Sequence, residues 1–329
     1  MNDAARTPVA IVTGFLGSGK TTLITRLLRD RRFANTAVIV NEFGEIALDH
    51  ELITSADETV VQLATGCLCC AVRSDLVATL LDLDRRRAAG EIGFSRVLIE
   101  TSGLADPAPI LHALMTDAAA GENFEIGGVL TLVDSVVGEQ TLARHPEARR
   151  QVAFADRLLV SKTDILSVGE SLRAAVRALN AAAPMDESMA DAETLFAAGA
   201  RLPPDAPAHH TGGIESTVVH RTAPVPAAAL TLWLQSLAEH CGGRLLRLKG
   251  LVDVAEMPGR PAVIHAVQHV VAPLDWLDRW PGDGRRSRIV LIGEGIPRHF
   301  PARLLDAIID EVLEESAARY QRRAGDLFS

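Results

Sequence analysis

The chemistry in this chain is concentrated in four short stretches. The first is Gly14-Phe15-Leu16-Gly17-Ser18-Gly19-Lys20-Thr21-Thr22, which fits the spacing G-x-x-x-x-G-K-[ST]. Glycines at 14, 17 and 19 allow backbone conformations closed to other residues and let N–H groups approach an anion closely. A helix starting here turns the positive end of its dipole toward the same anion. Ser18, Gly19, Lys20, Thr21 and Thr22 are therefore candidates to surround a polyphosphate. In that arrangement Lys20 reaches the β- and γ-phosphates and the Thr21 hydroxyl ligates Mg²⁺. Of the 33 basic residues only Lys20, Lys162 and Lys249 are lysines. Arginine is a wide, rigid fork and lysine a narrow point charge, so a tight pocket can require lysine. Codon bias explains the same scarcity without any pocket.

The second stretch follows an apolar run, Arg157-Leu158-Leu159-Val160, and reads Ser161-Lys162-Thr163-Asp164. It resembles the N-K-x-D guanine-reading motif of P-loop GTPases, with Ser161 in place of Asn. Guanine offers two donors on one edge, and the Asp164 carboxylate can accept both. Adenine lacks that pair and would leave the carboxylate desolvated without a partner. The Lys162 stem can lie along the base face, so GTP is the expected nucleotide. A plain polar turn at a strand end is the alternative reading.

The third stretch is Val97-Leu98-Ile99-Glu100-Thr101-Ser102-Gly103, an apolar run ending in an acid and a glycine. Glu100 can act on Mg²⁺, directly or through water, or orient the attacking water, and Gly103 can present its N–H to the γ-phosphate. Asp49, after Asn41-Glu42-Phe43-Gly44-Glu45, stands where a switch loop can approach the metal. An ordinary acid at a strand end is the alternative for Glu100. No residue declares itself as an arginine finger, and intrinsic turnover in such sites is roughly 10⁻⁴–10⁻² s⁻¹ without help. A switch is expected rather than a metabolic enzyme.

The fourth stretch packs three of the four cysteines into Gly66-Cys67-Leu68-Cys69-Cys70; the other is Cys241. Thiolates are soft donors suited to Zn²⁺ or Cu⁺. Cys67 and Cys69 project to one side of an extended or turned segment and can share an ion. With Cys70 this gives two or three ligands, where a closed structural zinc site has four. A carboxylate such as Glu45 or Glu42 completing the set suits an ion that must leave again. A redox-sensing pair and small core residues are the other two readings. His209 and His210 read as a weak second metal site or a solvated loop pair, and His220, His265 and His269 as structural or surface residues.

The elements that must position these residues alternate. Apolar runs at 9–13, 37–41, 60–64, 97–100, 128–133 and 157–160 predict strands, and amphipathic patterns at 21–30, 74–89, 107–116 and 171–182 predict helices. This is the signature of a mainly parallel sheet covered by helices. Prolines at 184, 203, 204 and 207 and glycines at 212 and 213 mark residues 184–213 as a linker. Beyond it, strands at 215–220, 244–248, 262–269 and 287–292 with helices at 226–240 and 303–315 predict a smaller, ferredoxin-like α+β domain. The expected domains are 1–183 and 214–316, followed by a tail at 317–329.

Composition excludes several classes. A net charge of −9 argues against non-specific binding to nucleic acid or an anionic membrane. No apolar run approaches the roughly 18–20 residues that cross a bilayer. Residues 1–8 lack the apolar core of a signal peptide. A cytoplasmic protein with an internal cysteine cluster is the expectation, the cysteines serving metal or redox chemistry rather than disulfides.

Taken together, G-F-L-G-S-G-K-T-T at 14–22, N-E-F-G-E at 41–45, G-C-L-C-C at 66–70, E-T-S-G-L-A-D-P at 100–107 and S-K-T-D at 161–164 resemble the CobW-type metallochaperone GTPases, of the SIMIBI class of P-loop GTPases. Arg247-Leu248-Lys249-Gly250 and the segment from Trp276 to Trp280 resemble that family's C-terminal domain. The resemblance implies GTP hydrolysis coupled to delivery of zinc, or cobalt, to a client metalloprotein. It implies Cys67, Cys69 and Cys70 as metal ligands with Glu45, and Lys20, Thr21, Glu100, Lys162 and Asp164 as the nucleotide site. A homodimer is compatible with it. Two departures stand out: no long histidine-rich tract accompanies His209-His210, and Val40 stands where some relatives carry an acid. Two rival readings are a redox-regulated GTP-binding protein without metal and a small-molecule kinase, which would prefer ATP.

Overall fold

The apolar runs of the first half are apolar at nearly every position because both faces of their sheet are covered. The computed structural model describes residues 6–40, 60–62, 70–187, 210–211, 213–281 and 285–326. Its contacts divide the chain into two units, Met1–Thr211 and Gly212–Ser329.

In the first unit the strands are β1 (Thr7–Gly14), β2 (Thr36–Val40), β3 (Val60–Gln62), β4 (Arg96–Glu100), β5 (Phe124–Asp134), β6 (Arg157–Ser161) and β7 (Met185–Asp186). They form one sheet in the order β3-β2-β4-β1-β5-β6-β7. Each neighbouring pair is parallel. Chain order reverses on either side of β1, and the crevice beyond the carboxyl ends of the strands at such a point is where open parallel sheets bind ligands. Val9 and Ile11 on β1 and Val97 and Ile99 on β4 have no exposed surface.

The helices α1 (Lys20–Leu28), α2 (Cys70–Ala88), α3 (Ala108–Thr116), α4 (Ala118–Asn123), α5 (Gly138–Arg144), α6 (Pro146–Phe154) and α7 (Glu170–Leu179) fill the crossovers. Leu23, Ile24 and Leu27 of α1 bury against Val12, Leu98, Leu130 and Leu132. At roughly 1.5–3 kcal/mol per fully buried large apolar side chain, that face fixes the helix after the glycine loop. The short helices α4, α5 and α6 were not expected from the hydrophobic pattern. Pro146 at the first position of α6 and Glu147 in its first turn are the local signals for that one. The sheet also runs on into β7, within the stretch that composition marks as a linker: Met185 and Asp186 pair with Leu158 and Leu159.

The second unit holds β8 (Ile214–Arg221), α8 (Ala227–Cys241), β9 (Leu245–Val252), β10 (Ala262–Val267), β11 (Ser287–Glu294) and α9 (Phe300–Asp326). β10 pairs with β9, β9 with β11 and β11 with β8, all antiparallel. β8, α8 and β9 make a split β-α-β unit with β11 between the two strands. The ferredoxin-like expectation shares that split unit, but here α9 follows the last strand instead of leading to another. Trp233 is fully buried among the α8, α9 and sheet side chains, and its Nε1 donates to the Pro301 carbonyl at 2.9 Å. No helix among the described residues is long and apolar enough to cross a membrane.

Asn180, 1% exposed, closes the C-terminal end of α6. Its Nδ2 donates to the carbonyls of Val152 and Ala155, each at 2.9 Å. Asn180→Ala would take this donor from the Ala155 carbonyl, while the Val152 carbonyl keeps the Ala155 N–H at 3.2 Å, and urea unfolding should show a loss of about 1–3 kcal/mol.

Candidate functional site

The glycine loop lies between β1 and α1. Gly14 adopts φ 145°, and a Cβ there would sit 2.6 Å from the Leu132 carbonyl oxygen and 2.7 Å from Ser18 Oγ. Neither the dihedral nor the space admits another residue. Gly19, at φ 93°, is the N-cap of α1, and no side chain caps the helix start. With no side-chain cap and no acid in its first turn, the positive end of the α1 dipole favours an anion. Gly17 (φ 73°) turns the loop between them, Ser18 is buried and Thr22 is exposed on the first turn of α1.

Lys20 is 8% exposed, and its ammonium donates to the carbonyls of Gly14 at 2.9 Å and Phe15 at 3.4 Å, so the charge is folded against the loop. The Thr21 hydroxyl donates to Glu100 Oε1 at 2.9 Å across 79 residues. Glu100 is 4% exposed at the end of β4. Adjacent to it, the Thr101 N–H donates to the Val12 carbonyl at 3.0 Å and the Thr101 hydroxyl to Thr13 Oγ1 at 2.7 Å. A threonine hydroxyl beside a buried carboxylate is a hard oxygen donor set, which fits Mg²⁺. Gly103 presses on the glycine loop: a Cβ there would lie 2.5 Å from Leu16 Cδ2 and 2.8 Å from Leu16 Cα. The structure thus brings the first and third stretches together.

The second stretch comes near the same place. Ser161 Cβ lies 4.0 Å from where a Cβ on Gly19 would be. Lys162 stands at φ 58°, a rare conformation for a residue with a side chain. Its ammonium pairs with Asp134 Oδ2 at 2.6 Å, and Asp134 Oδ1 accepts from the N–H groups of Val136 at 2.7 Å and Val137 at 3.3 Å. Ser135 braces this turn. Its N–H donates to the Ser161 carbonyl at 3.0 Å and its hydroxyl to the Lys162 carbonyl at 2.9 Å. Asp164 is exposed. Asp134 and Ser135 are site residues that motif reading missed, although an Asp-Ser ending a long apolar strand was visible.

Also missed is α6, which grips the loop after β4. Gln151 Nε2 donates to the carbonyls of Gly103 at 3.2 Å and Ala105 at 3.1 Å, and Arg150 pairs with Asp106 at 3.3 Å. Large apolar side chains are exposed in the loops after β1, β4, β5 and β6: Leu16, Leu104, Val136, Val137, Ile165 and Leu166.

Glu42, Glu45, Asp49, Cys67, Cys69 and His209 lie outside the described residues, as do the side chains of Cys70 and His210. Among the described residues no group of three or more His, Cys, Asp and Glu side chains could hold a metal. Cys241 belongs to the core of the second unit. Burial pushes its thiol pKa up, against a smaller opposing effect of Arg244, so it is a protonated core residue and not a thiolate donor.

The CobW/HypB/UreG nucleotide-binding domain matches residues 8–187, and the cobalamin synthesis protein cobW C-terminal domain matches residues 214–309. The zinc chaperone YjiA of Escherichia coli is 32% identical over 302 residues, covering 88% of this chain and 94% of that protein. The zinc chaperone CobW of Pseudomonas aeruginosa is 34% identical over 345 residues, covering 89% of each. The crystal structure of Zn(II)-bound YjiA GTPase from E. coli superimposes with a TM-score of 0.72 at 26% identity, over 93% of this chain and 99% of that one. With a glycine loop, a hydrogen-bonded Thr–Glu pair and both domain matches in one chain, this protein belongs to the CobW/HypB/UreG family.

Proposed function

We propose that this P-loop GTPase is a metallochaperone that loads zinc in its triphosphate state and hands it to a client metalloprotein after hydrolysis. The observation that carries the reading is the contact between Thr21 and the buried Glu100, in a chain alignable over 88% of its length with a zinc chaperone. In this proposal the backbone of Gly14, Gly17, Ser18 and Gly19 holds the phosphates with Lys20, Thr21 and Thr22. Thr21 and Glu100 would hold Mg²⁺, with Asp49 approaching it. When bound there, Mg²⁺ would supply charge neutralisation at the phosphate oxygens. Gly103 offers its N–H to the third phosphate and so distinguishes GTP from GDP. Asp164 accepts from guanine while Lys162, steadied by Asp134, flanks the base.

The cargo ion binds the thiolates of Cys67, Cys69 and Cys70, with Glu45 or Glu42 completing the set in the GTP state. Soft sulfur favours zinc, and cobalt is the second candidate for the same ligands. The apolar side chains after β1, β4, β5 and β6 support docking of a protein client, since exposed apolar residues gathered in neighbouring loops mark interaction surfaces.

The decisive measurement is anaerobic zinc titration of wild type and a Cys67/Cys69/Cys70 triple serine variant, each with GTPγS and with GDP. Wild type should bind zinc at least about tenfold more tightly with GTPγS, within the usual range of coupling between sites. The variant should lose tight zinc binding and keep its nucleotide affinity. Equal zinc affinity in the two nucleotide states would remove the coupling and leave a GTPase with redox or structural thiols.

Base recognition has its own test. Asp164→Ala should weaken GDP binding by about 2–3 kcal/mol, the value of paired charge-assisted hydrogen bonds, without improving ADP binding. A GDP affinity unchanged by calorimetry would assign the guanine contact elsewhere.

A further inference from the structure

Helix α6 was absent from any motif, yet it is fixed at its C-terminal end and at its middle and touches the loop that follows Glu100. Its C-terminal carbonyls are closed by Asn180. The Gln151 carbonyl accepts from the buried Thr131 hydroxyl at 2.8 Å, which ties the middle of the helix to β5. The side chain of the same residue, 1% exposed, donates to both the Gly103 and the Ala105 carbonyls. Beside it, Arg150 reaches Asp106, whose other oxygen accepts from the Ala108 N–H at 2.9 Å. Two adjacent residues of one anchored helix therefore hold three of four consecutive loop positions.

We infer that Gln151 is a positioning residue for GTP hydrolysis: its amide sets the loop at Gly103 against the glycine loop, and Arg150 supports it. The inference rests on the reading of Gly103 as the contact to the third phosphate. A glycine has more freedom about its backbone bonds than any other residue, and an N–H must be aimed before it can stabilise developing charge. Leu16 limits Gly103 on one side, where a Cβ would lie 2.5 Å from Leu16 Cδ2. On the other side the two donated bonds limit it. The geometry also fixes which amide atom points where, because the oxygen in place of Nε2 would face two carbonyls. The Gln151 oxygen has no hydrogen-bond partner among the described residues, so the donated bonds alone orient the amide.

The test uses the full chain with Gln151→Met, which keeps length and volume while removing both donors, and with the milder Arg150→Gln. Single-turnover GTP hydrolysis, GDP affinity and GTPγS affinity are read for each. Gln151→Met should hydrolyse GTP about tenfold or more slowly, as small misplacements near reacting atoms do. Its GDP affinity should stay within about twofold, because GDP lacks the phosphate that Gly103 would meet, so the GTPγS-to-GDP affinity ratio falls. A merely structural helix contact would instead weaken both nucleotides equally together with the melting temperature, and that result overturns the inference. So does an unchanged rate with an unchanged ratio. If Gln151→Met does not fold, Arg150→Gln decides: a rate about threefold lower at constant GDP affinity supports the role, and an unchanged rate removes it. A wild type without GTP turnover would sink the hydrolytic reading instead, and the affinity ratio of the variants would still decide what Gln151 does.

Discussion

A single hydrogen bond, from the half-buried Thr21 hydroxyl to the buried Glu100, holds the constraint on which the site depends. It joins residues 79 positions apart, and it forms only because β1 and β4 are neighbours in the register that sets Val12 opposite Glu100. Side chains on a strand alternate between faces, so a slip of one residue would turn Glu100 away from α1. The apolar contacts of Val9, Ile11, Val97 and Ile99 fix that register. They also offset the cost of burying a carboxylate and an ammonium close to one another's loops. The site is thus assembled by core packing that never touches a ligand.

On the far side of β1 a different device serves the same end. Lys162 is held at φ 58°, a conformation that costs a non-glycine residue roughly 1–2 kcal/mol. Such strain persists where the surroundings over-determine it. Here they do so through the Asp134 carboxylate at the Lys162 ammonium and the Ser135 hydroxyl at its carbonyl. The loop that would read the base and the loop that would read the phosphate are therefore both braced from β5, its end on one side and α6, tied to Thr131, on the other. That shared support gives the short helix between β5 and β6 a reason to exist beyond covering the sheet.

Much of this was legible in the sequence because local patterns and global fold agree. The near-continuous apolar runs at β1, β4 and β6 could only be covered strands, and the glycine loop after β1 requires its backbone freedom at Gly14 and Gly19. What was not legible depends on contacts between distant segments. Gln151 is an ordinary polar residue in a short helix until the fold brings it under Gly103. Asp134 looks like any strand-end acid until Lys162 turns left-handed beside it. β7 hid inside a proline-bearing stretch because two residues carry no periodicity, and only pairing with β6 defines them.

The energetics constrain what nucleotide hydrolysis can achieve for a thiolate-bound cargo. Structural zinc held by cysteine and histidine carries an apparent binding free energy of roughly 10–16 kcal/mol at neutral pH. Coupling between two sites of one protein is typically about 1–3 kcal/mol. Rearranging a carboxylate when the third phosphate leaves therefore loosens such an ion by a factor of about 5–150 and leaves it far from free in water. The proposed open set of three sulfurs would bind less tightly than four, yet a change of that size would empty it only if its own affinity were of the same few kcal/mol. In the proposed chaperone, release would then be a ligand exchange, in which a client's own donors take over before the last thiolate lets go. The proposed client would then have to sit within reach of the cysteine segment while the ion is still bound.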